Sequence, residues 1–497
     1  MTGTLASRPE GAGQGLAGEG NRPGLAPSAI EVLKRRYPGV PDPAGEWLPP
    51  KPAWHKGLPD IDVLASELSR VRRFGRKVVL YGHDDMDGIT GLYIGMRVLA
   101  GEGFRVVPIV PDRATEDYGL LPSRMENVLE QDDLLLSVDS GCSSVEGVAW
   151  ARNRGARVVI TDHHTLNPPL PEAHAIIDPQ RTGFPATVLA GCGVLYGALT
   201  EIYPRHAGDP DLFSALALGT VSDRVPLLAW NRYLLARFAR VDPGDLPYGL
   251  RLMVEAWPNR KTWWTAAAVR QQITSVVGKG LNSGIGRLLS FMRSDDRDAC
   301  DAEWADMQFQ SEQRAQLLAE LLTKAMAEKD PQADAFGMIL VYMGHVPSGM
   351  GGTLASKLCR IFRRGAIVVT ARADGVLTGE ARSLGDWNMA GFLVSLRKVF
   401  TSAGGHAKAA GFSAEGYTWP SLRQLLIDHM ATYPTNPVPE PHIDLELASL
   451  PAPSDLAPLS PFGPDFPPPA VRVAGMRYLL QLGQNAPGWC ISEESGE

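Results

Sequence analysis

Short apolar runs alternate with helical patterns between about residues 75 and 235, and this alternation limits the possible folds more than any other feature. Runs such as "KVVLYG", "VVPIV", "LLLSV" and "ARVVIT" have the length and β-branched content of buried strands. The segments between them, for example "ITGLYIGMRVLA", carry apolar residues at helical spacing. Strands that alternate with helices pair in parallel through crossover connections. The sequence therefore predicts an α/β domain built on a parallel sheet.

Amino-acid composition and hydrophobic pattern divide the whole chain into five predicted regions. Residues 1–45 are rich in Gly, Pro and Ala, so we expect a disordered tail. The parallel-sheet domain is expected over 55–240 and a charged helical connector over 241–332. Strand patterns return over 333–433, which predicts a second, smaller α/β domain. Residues 434–497 read as a proline-rich linker and a short, incomplete β segment.

The net charge of −7 gives no support to a nucleic-acid partner, although a local basic groove matters more than the total charge. Basic clusters occur in "SRVRRFGRK" and "KLCRIFRRG", where they would either line a channel or form an ordinary solvated surface. The five cysteines are separated, never in C-x-x-C spacing, and predict a reducing, cytoplasmic location. No apolar stretch approaches the ~20 residues that cross a bilayer, so no membrane partner is expected.

Carboxylate and imidazole side chains follow several of these strands and helices. They stand in "GHDDMDG", "VDSG", "TDHH" and "GTVSDRVPL". The carboxyl ends of parallel strands meet at one edge of a sheet, so the first three segments should converge there. The candidate residues are His83, Asp85, Asp87, Asp139, Asp162, His163, His164 and Asp223.

Carboxylates held this close repel one another unless cations neutralise them. Mixed Asp and His ligands suit manganese or another divalent first-row metal, and oxygen-rich sites also accept magnesium. The ligands are too many for one ion, so we expect two divalent ions ~3.5–4 Å apart, bridged by a shared carboxylate, an arrangement suited to phosphoester hydrolysis.

Each motif alone has a plainer interpretation. "HDDMDG" could be an acidic turn that caps the following helix, and Asp139 could belong to an ordinary strand-to-helix turn. Asp223 alone reads as a structural aspartate. "TDHH" is harder to explain in this way, because adjacent exposed histidines add little to packing.

Taken together, these four segments resemble the metal-binding motifs of the DHH phosphoesterase superfamily. "SAGGHAKAAGF" resembles the glycine-rich motif of the DHH-associated domain. "GKGLNSGIGRL", "GMGGTLASKLCRIFRRGAIVV" and "GEARSLGDWNM" are similar to segments of RecJ-type exonucleases, and "LAPLSPFGPDFPPP" resembles the start of their OB-fold. The resemblance covers about residue 75 to the end.

The resemblance implies a DHH domain over 55–240, a DHH-associated domain over 333–433 and a reduced OB-like segment in 434–497. It also implies a 5′→3′ exonuclease that releases mononucleotides from single-stranded DNA with two ions, manganese first and magnesium as the alternative. Single-strand-binding or other repair proteins are candidate partners.

The resemblance also implies roles for individual residues. The metal ligands would be His83, Asp85, Asp87, Asp139, His163 and Asp223. Asp162 would orient a histidine and His164 would contact the scissile phosphate. Gly404, Gly405 and His406 would hold the phosphate of the terminal nucleotide, with Arg382, Ser383 and Arg287 as further phosphate contacts. Alone, "AGGH" is equally a turn before a strand, and each of these last three residues is equally a surface residue.

The sequence departs from the family pattern in two places. "HDDMDG" lacks the extended form common in bacterial RecJ, with Tyr81 where histidine is frequent, and the C-terminal segment is short for a five-stranded barrel. The short segment keeps a second hypothesis open, a DHH phosphoesterase for oligoribonucleotides, a cyclic dinucleotide or phosphoadenosine phosphate. A third hypothesis, a catalytically silent scaffold in a replication complex, is opposed by the intact motifs.

Overall fold

The structure is a computed structural model, and the chain in it divides into two compact units, Met1–Gln308 together with Ile443–Glu497, and Phe309–His442. The residues it describes are 25–38, 47, 51–110, 119–183, 185–258, 260, 264–270, 273, 285–347, 349–372, 374–437, 442–463, 465–482 and 487–492.

The first unit is built on a five-stranded parallel sheet. Its strands are β1 (Val78–Gly82), β2 (Val106–Ile109), β3 (Leu134–Val138), β4 (Arg157–Thr161) and β5 (Ala175–Ile177). They lie in the order β2-β1-β3-β4-β5, and each neighbouring pair is parallel. The predicted α/β fold with a parallel sheet is therefore confirmed, strand by strand, for this part of the chain.

Helices lie on both faces of this sheet. The described helices between residues 27 and 327 are α1 (Pro27–Arg36), α2 (Trp54–Gly57), α3 (Ile61–Phe74), α4 (Met86–Gly101), α5 (Pro122–Met125), α6 (Val145–Asn153), α7 (Gly191–Ile202), α8 (Pro210–Ser222), α9 (Ala229–Phe238), α10 (Tyr248–Glu255), α11 (Ala266–Val269), α12 (Ile285–Met292) and α13 (Arg297–Ala327). Short 3₁₀ turns lie at Pro179–Arg181, Ala186–Val188, Pro204–His206 and Pro243–Asp245. Alternate strand residues enter two different cores, since Leu80 and Leu136 pack with α4, α7 and α8, while Val79 and Leu135 pack with α5 and α6.

The predicted connector, 241–332, is not a separate element throughout. Residues as far as Met307, including Leu250, Met253 and Trp304, pack into the core of the first unit. The compact units meet in sequence within α13, between Gln308 and Phe309. The stretch 278–284 of "GKGLNSGIGRL" lies outside the described residues.

The second unit is a mixed sheet with helices, as the sequence predicts. Its strands are β6 (Met338–Tyr342), β7 (Gly365–Ala371), β8 (Leu377–Arg382), β9 (Ser402–His406) and β10 (Ala409–Ala414). The order is β6-β7-β8-β10-β9, with β6 and β7 parallel and the other pairs antiparallel. The helices are α14 (Pro331–Ala335), α15 (Met350–Phe362), α16 (Met389–Ser395) and α17 (Trp419–Met430).

The C-terminal segment returns to the first unit as a four-stranded sheet. Its strands are β11 (Leu445–Leu447), β12 (Ala470–Val473), β13 (Met476–Leu482) and β14 (Pro487–Ser492), in that order, with α18 (Pro453–Leu456) and a 3₁₀ turn (Ala457–Leu459) between the first two. Only β11 and β12 are parallel. This agrees with the predicted short β segment, and its OB-like character stays a prediction.

Helix α1 corrects the prediction of a disordered tail for residues 27–36. Its buried residues Ala29, Val32 and Leu33 lie at helical spacing and pack with Phe462 and Phe466 of the C-terminal segment. An isolated ten-residue helix would be marginal, so this one depends on partners more than 400 residues away that a local reading does not supply. Residues 1–24 and 39–45 of the predicted tail lie outside the described residues.

Within the described part of the chain, no helix is both long and apolar enough to span a membrane.

The docking of α1 gives a stability prediction. Leu33 is fully buried, so Leu33→Ala should lower the free energy of unfolding by about 2–5 kcal/mol. Arg35→Ala on the exposed side of the same helix should change it by no more than about 0.5 kcal/mol. Thermal denaturation compares the two variants, and equal effects would contradict the packing of α1 against the C-terminal segment.

Candidate metal centre

The carboxyl edge of the parallel sheet collects the predicted carboxylates and imidazoles. His83 follows β1, Asp139 follows β3, and Asp162 with the two adjacent histidines follows β4. Asp223 joins them from the end of α8, where its carboxylate lies 3.5 Å from His163 Nε2. The structure thus brings four segments of the chain into one cluster.

Asp85 and His83 form one side of this cluster. Asp85 caps the N-terminus of α4, because its Oδ1 accepts from the backbone N–H groups of Asp87 (3.0 Å) and Gly88 (3.1 Å). Its other oxygen, Oδ2, lies 3.1 Å from His83 Nδ1. His83 Nδ1 is also 3.6 Å from Asp139 Oδ2. The capping bonds leave one Asp85 oxygen facing the cluster.

Asp87 is fixed by the N-terminus of another helix. Its two oxygens accept from the N–H groups of Gly191 (2.7 Å) and Cys192 (2.9 Å), the first residues of α7. These donors, together with the helix dipole, stabilise a negative charge on a side chain that is almost completely buried. The same carboxylate lies 3.8 Å from His163 Nε2.

Asp139 and His163 meet at the centre of the cluster. Asp139 Oδ1 lies 3.2 Å from His163 Nε2, yet neither atom makes a hydrogen bond within the described part of the chain. Both atoms are buried. Burial without a hydrogen bond is costly for such atoms, and binding to divalent cations would relieve that cost.

Asp162 is directed away from this centre and holds His164. Its Oδ1 accepts from the backbone N–H of His163 (2.8 Å) and lies 2.7 Å from His164 Nδ1, while Oδ2 accepts from the N–H of Cys142 (3.1 Å). The side chain of His164 is 58% exposed, so its second nitrogen, Nε2, is available to a ligand. Asp162 thus contacts the His164 ring, and its orienting role stays a prediction.

The pKa shifts follow from this crowding. Burial, followed by the charges of Asp87 and Asp85, raises the pKa of Asp139 well above its usual range. The pKa of Asp223 is raised to about 7 by burial and then by Asp87. Burial also raises the pKa of Asp162, but hydrogen bonds and the histidine charges outweigh it and lower the value to about 2.

The histidines respond to the same carboxylates. Burial lowers the pKa of His163, but Asp87, Asp223 and other carboxylates outweigh it, and the net shift is upward. The hydrogen bond that His164 donates to Asp162 raises the pKa of His164. With no cation bound, the cluster therefore holds extra protons.

The ligand atoms group in a way that fits two ions. His83, Asp85 and Asp139 form one trio, and Asp87, His163 and Asp223 form another, each with one ligand atom per residue and all three within 4.8 Å of one another. A third grouping joins Asp139, His163 and His164. The first two trios share no residue and together contain the six predicted ligands. Mixed carboxylate and imidazole donors suit Mn²⁺, and the oxygens suit Mg²⁺.

The sequence does not predict the donors that hold these carboxylates. The N–H groups of Gly191 and Cys192 fix Asp87, and the N–H of Cys142 fixes Asp162. A Cβ on Gly191 would lie 2.5 Å from Asp139 Cβ and 2.7 Å from its Cα, so the close approach requires glycine. The small residues of "AGCG", at the start of an apolar helix, are the sequence signal for this close approach.

Four of the six predicted substrate contacts lie on strands of the sheet in the second unit. Gly404, Gly405 and His406 lie on the exposed edge strand β9, and Arg382 ends β8. Gly405 has φ 132°, and a Cβ there would lie 2.5 Å from the Ala409 carbonyl oxygen, whereas a Cβ on Gly404 would meet open space. These positions leave backbone accessible, and their contact with a phosphate stays a prediction.

Two other predicted phosphate contacts have partners within the protein. The Ser383 hydroxyl donates to Asp386 (2.8 Å) and accepts from the N–H groups of Gly385 (2.8 Å) and Trp387 (3.1 Å), so it holds the turn after β8. Arg287 lies on α12 in the first unit and forms an ion pair with Glu303. Their roles as phosphate contacts stay predictions.

Comparison with known proteins shows relatives along most of the chain. The family model described as "DHH family, N-terminal domain" matches residues 77–220. The single-stranded-DNA-specific exonuclease RecJ of Thermus thermophilus is 29% identical over 452 residues, which cover 85% of this chain and 65% of that protein. The protein of the same name from Dickeya dadantii is 30% identical over 401 residues, covering 74% of this chain and 68% of that protein.

A solved structure agrees with these relatives. The crystal structure of RecJ in complex with Mn²⁺ from Thermus thermophilus matches with a TM-score of 0.75 at 25% identity, covering 95% of this chain and 71% of that chain. This chain spans about two thirds of the length of the two curated relatives described above.

The close approach of Gly191 gives a prediction on metal affinity. Gly191→Ala should displace Asp139 and weaken Mn²⁺ binding by at least about tenfold, because even the loss of an outer partner of a ligand costs about 10- to 100-fold. Gly193→Ala on the same helix is the matched control, since the nearest atom to its Cβ would be a Leu189 methyl at 3.3 Å. Calorimetric titration measures both, and equal affinities would contradict the packing of α7 against Asp139.

The raised pKa values give a prediction on pH. Asp139, Asp223, His163 and His164 bind protons more tightly when folded, so in the metal-free protein the stability they contribute is lost as pH rises towards about 7 and beyond. The metal-free protein should melt at a lower temperature at pH 7.5 than at pH 5. Mn²⁺ should raise the melting temperature more at pH 7.5, because the ligands then carry fewer protons that the ion must displace.

Asp223→Asn is the control for this experiment. The variant lacks the carboxylate whose pKa is raised to about 7, so its melting temperature should fall less between the two pH values. A wild-type protein whose metal-free midpoint is unchanged or higher at pH 7.5 would contradict the assigned shifts.

Proposed function

This chain belongs to the RecJ family of DHH proteins, and from that membership we propose that it is a metal-dependent phosphodiesterase that degrades single-stranded DNA. The observation that carries the proposal is the pair of ligand trios, which share no residue and lie at the carboxyl edge of the sheet. Two-ion sites of this kind suit the displacement at a phosphodiester.

The chemistry divides between the ions and the protein. Two divalent ions, Mn²⁺ or alternatively Mg²⁺, would be held by His83, Asp85, Asp87, Asp139, His163 and Asp223. When bound, they would lower the pKa of a water molecule and stabilise negative charge on the phosphoryl oxygens. The hydrogen bonds that hold Asp85 and Asp87 fix these ligands before any ion arrives.

His164 supplies the contact with the scissile phosphate. Its Nδ1 is held by Asp162, whose hydrogen bond and charge raise the pKa of the imidazole and so favour the protonated ring, which presents an N–H at Nε2. A cationic donor in this place would stabilise the charge that develops on a phosphoryl oxygen. Asp162 acts through His164 and is therefore a positioning residue.

We infer the finer features of the reaction from the relatives. Digestion from the 5′ end, release of mononucleotides and capture of the terminal nucleotide by Gly404, Gly405 and His406 follow the family pattern. The relatives are named single-stranded-DNA-specific exonucleases and match over 74–85% of this chain, which favours strands over the small-substrate alternative. The ligand trios oppose the silent-scaffold hypothesis.

We also infer a cytoplasmic location and partners among single-strand-binding and other repair proteins. All five cysteines are free, four of them buried, which suits a reducing compartment. The partners follow from the proposed substrate, which such proteins also bind.

A digestion assay tests this function. Single strands of graded length, labelled at the 5′ or the 3′ end, should lose mononucleotides from the 5′ end with Mn²⁺ and stay intact with a chelator. Asp139→Asn should reduce kcat by at least about a hundredfold, because Asp139 belongs to a ligand trio. Asp245→Asn, which changes an exposed carboxylate of the same unit, should leave kcat unchanged. A Mn²⁺-binding protein that leaves every strand intact, or an Asp139→Asn variant of full activity, would overturn the proposal.

A further inference from the structure

The second unit presents an open sheet face made of small and polar residues. Directly opposed residues on antiparallel strands point to the same side, so the register defines two rows across β8, β10 and β9. The rows are Arg382, Ala409 and His406, and Glu380, Gly411 and Gly404. None of these six is buried, whereas Ala381 and Ala410 on the opposite side belong to the core. The face therefore holds three predicted substrate contacts beside a carboxylate that the family resemblance did not indicate, Glu380.

Glu380 forms an ion pair with Arg382 on this face. Its Oε2 lies 3.2 Å from Arg382 Nη1, and the same nitrogen donates to the carbonyl oxygen of Ala381 at 2.8 Å. Gly352 in the first turn of α15 lies against this ion pair, because a Cβ there would lie 2.6 Å from Arg382 Nη2 and 3.2 Å from Glu380 Oε2. The guanidinium is therefore held in place with a carboxylate as its nearest counter-charge.

Both side chains remain open to a ligand. The side chain of Arg382 is 27% exposed and that of Glu380 is 47% exposed. Gly411, the residue opposite Glu380, has no side chain that could cover the carboxylate. A Cβ at this position would lie 3.7 Å from Glu380 Oε1. A phosphate that approaches Arg382 would therefore meet the negative charge of Glu380 at the same time, and the two anions would compete for one guanidinium.

We propose that Glu380 is a specificity-determining residue that neutralises Arg382 and so reduces the preference for a phosphorylated strand end. The protein then accepts 5′-hydroxyl and 5′-phosphorylated ends to a similar degree. This inference rests on the proposed function and refines its substrate class.

Glu380→Gln tests the inference through the two kinds of strand end. In the wild type, kcat/KM should agree within about threefold for a 5′-phosphorylated and a 5′-hydroxyl single strand. In the variant, kcat/KM for the phosphorylated strand should rise by about fivefold through a lower KM, the upper range for an exposed charge pair. The value for the hydroxyl strand should stay unchanged.

Glu415→Gln is the matched control. Glu415 is exposed and follows β10 at the end remote from Ala409, ~20 Å away at the ~3.4 Å rise of a strand residue. It changes the net charge by the same amount and should alter neither strand end. Arg382→Gln combined with Glu380→Gln should abolish the gain, because the competing guanidinium is then absent.

A binding measurement separates this inference from the proposed function. With a chelator present, the full chain is titrated with 5′-phosphorylated dithymidine and with its unphosphorylated counterpart. Tighter binding of the phosphorylated ligand alone in Glu380→Gln supports the inference, even if no strand is cut and the proposed function fails. Active protein in which Glu380→Gln leaves the ratio between the two ends unchanged would overturn the inference and leave the proposed function standing.

Discussion

Mutual repulsion among buried carboxylates is the constraint on which the metal centre depends. Asp87, Asp139 and Asp162 are each at most 2% exposed, and Asp223 approaches the same histidine as two of them. Burial, and after it the charges of the neighbouring carboxylates, raise the pKa values of Asp139 and Asp223. Protons or divalent cations must therefore balance the cluster. A fold that gathers these groups at one sheet edge is specialised for cation binding, at a cost in the stability of the metal-free protein.

The fold offsets part of this repulsion with backbone groups. Two N–H donors at the start of α7 hold Asp87, two at the start of α4 hold Asp85, and one from Cys142 holds Asp162. These donors lie on elements packed into the core of the first unit, so the side chains are oriented before a ligand binds. In the second unit the Ala381 carbonyl oxygen and the Glu380 carboxylate hold Arg382. In the first unit the close approach of α7 to Asp139 requires glycine at position 191.

The sequence predicts the ligand side chains of the metal centre better than the backbone N–H groups that hold them. "TDHH" and "VDSG" each follow an apolar strand, so the parallel-sheet pattern alone placed Asp139 and His163 at one edge. Backbone donors such as Gly191 N–H have no distinctive side chain, and their role appears only when α7 is packed against β3. Helix α1 was missed because its apolar stripe gains stability from residues far away in sequence. Ser383 follows Arg382 directly but turns into a local hydrogen-bond network, which the motif could not indicate.

The two ligand trios are expected to bind a pair of divalent ions. Anomalous diffraction at the manganese edge from crystals grown with Mn²⁺ would locate these ions. Two peaks ~3.5–4 Å apart are expected, one within coordinating distance of His83, Asp85 and Asp139 and the other of Asp87, His163 and Asp223. Crystals in which Mn²⁺ is absent from this cluster, or in which a single ion binds there while one trio stays unliganded, would contradict this expectation.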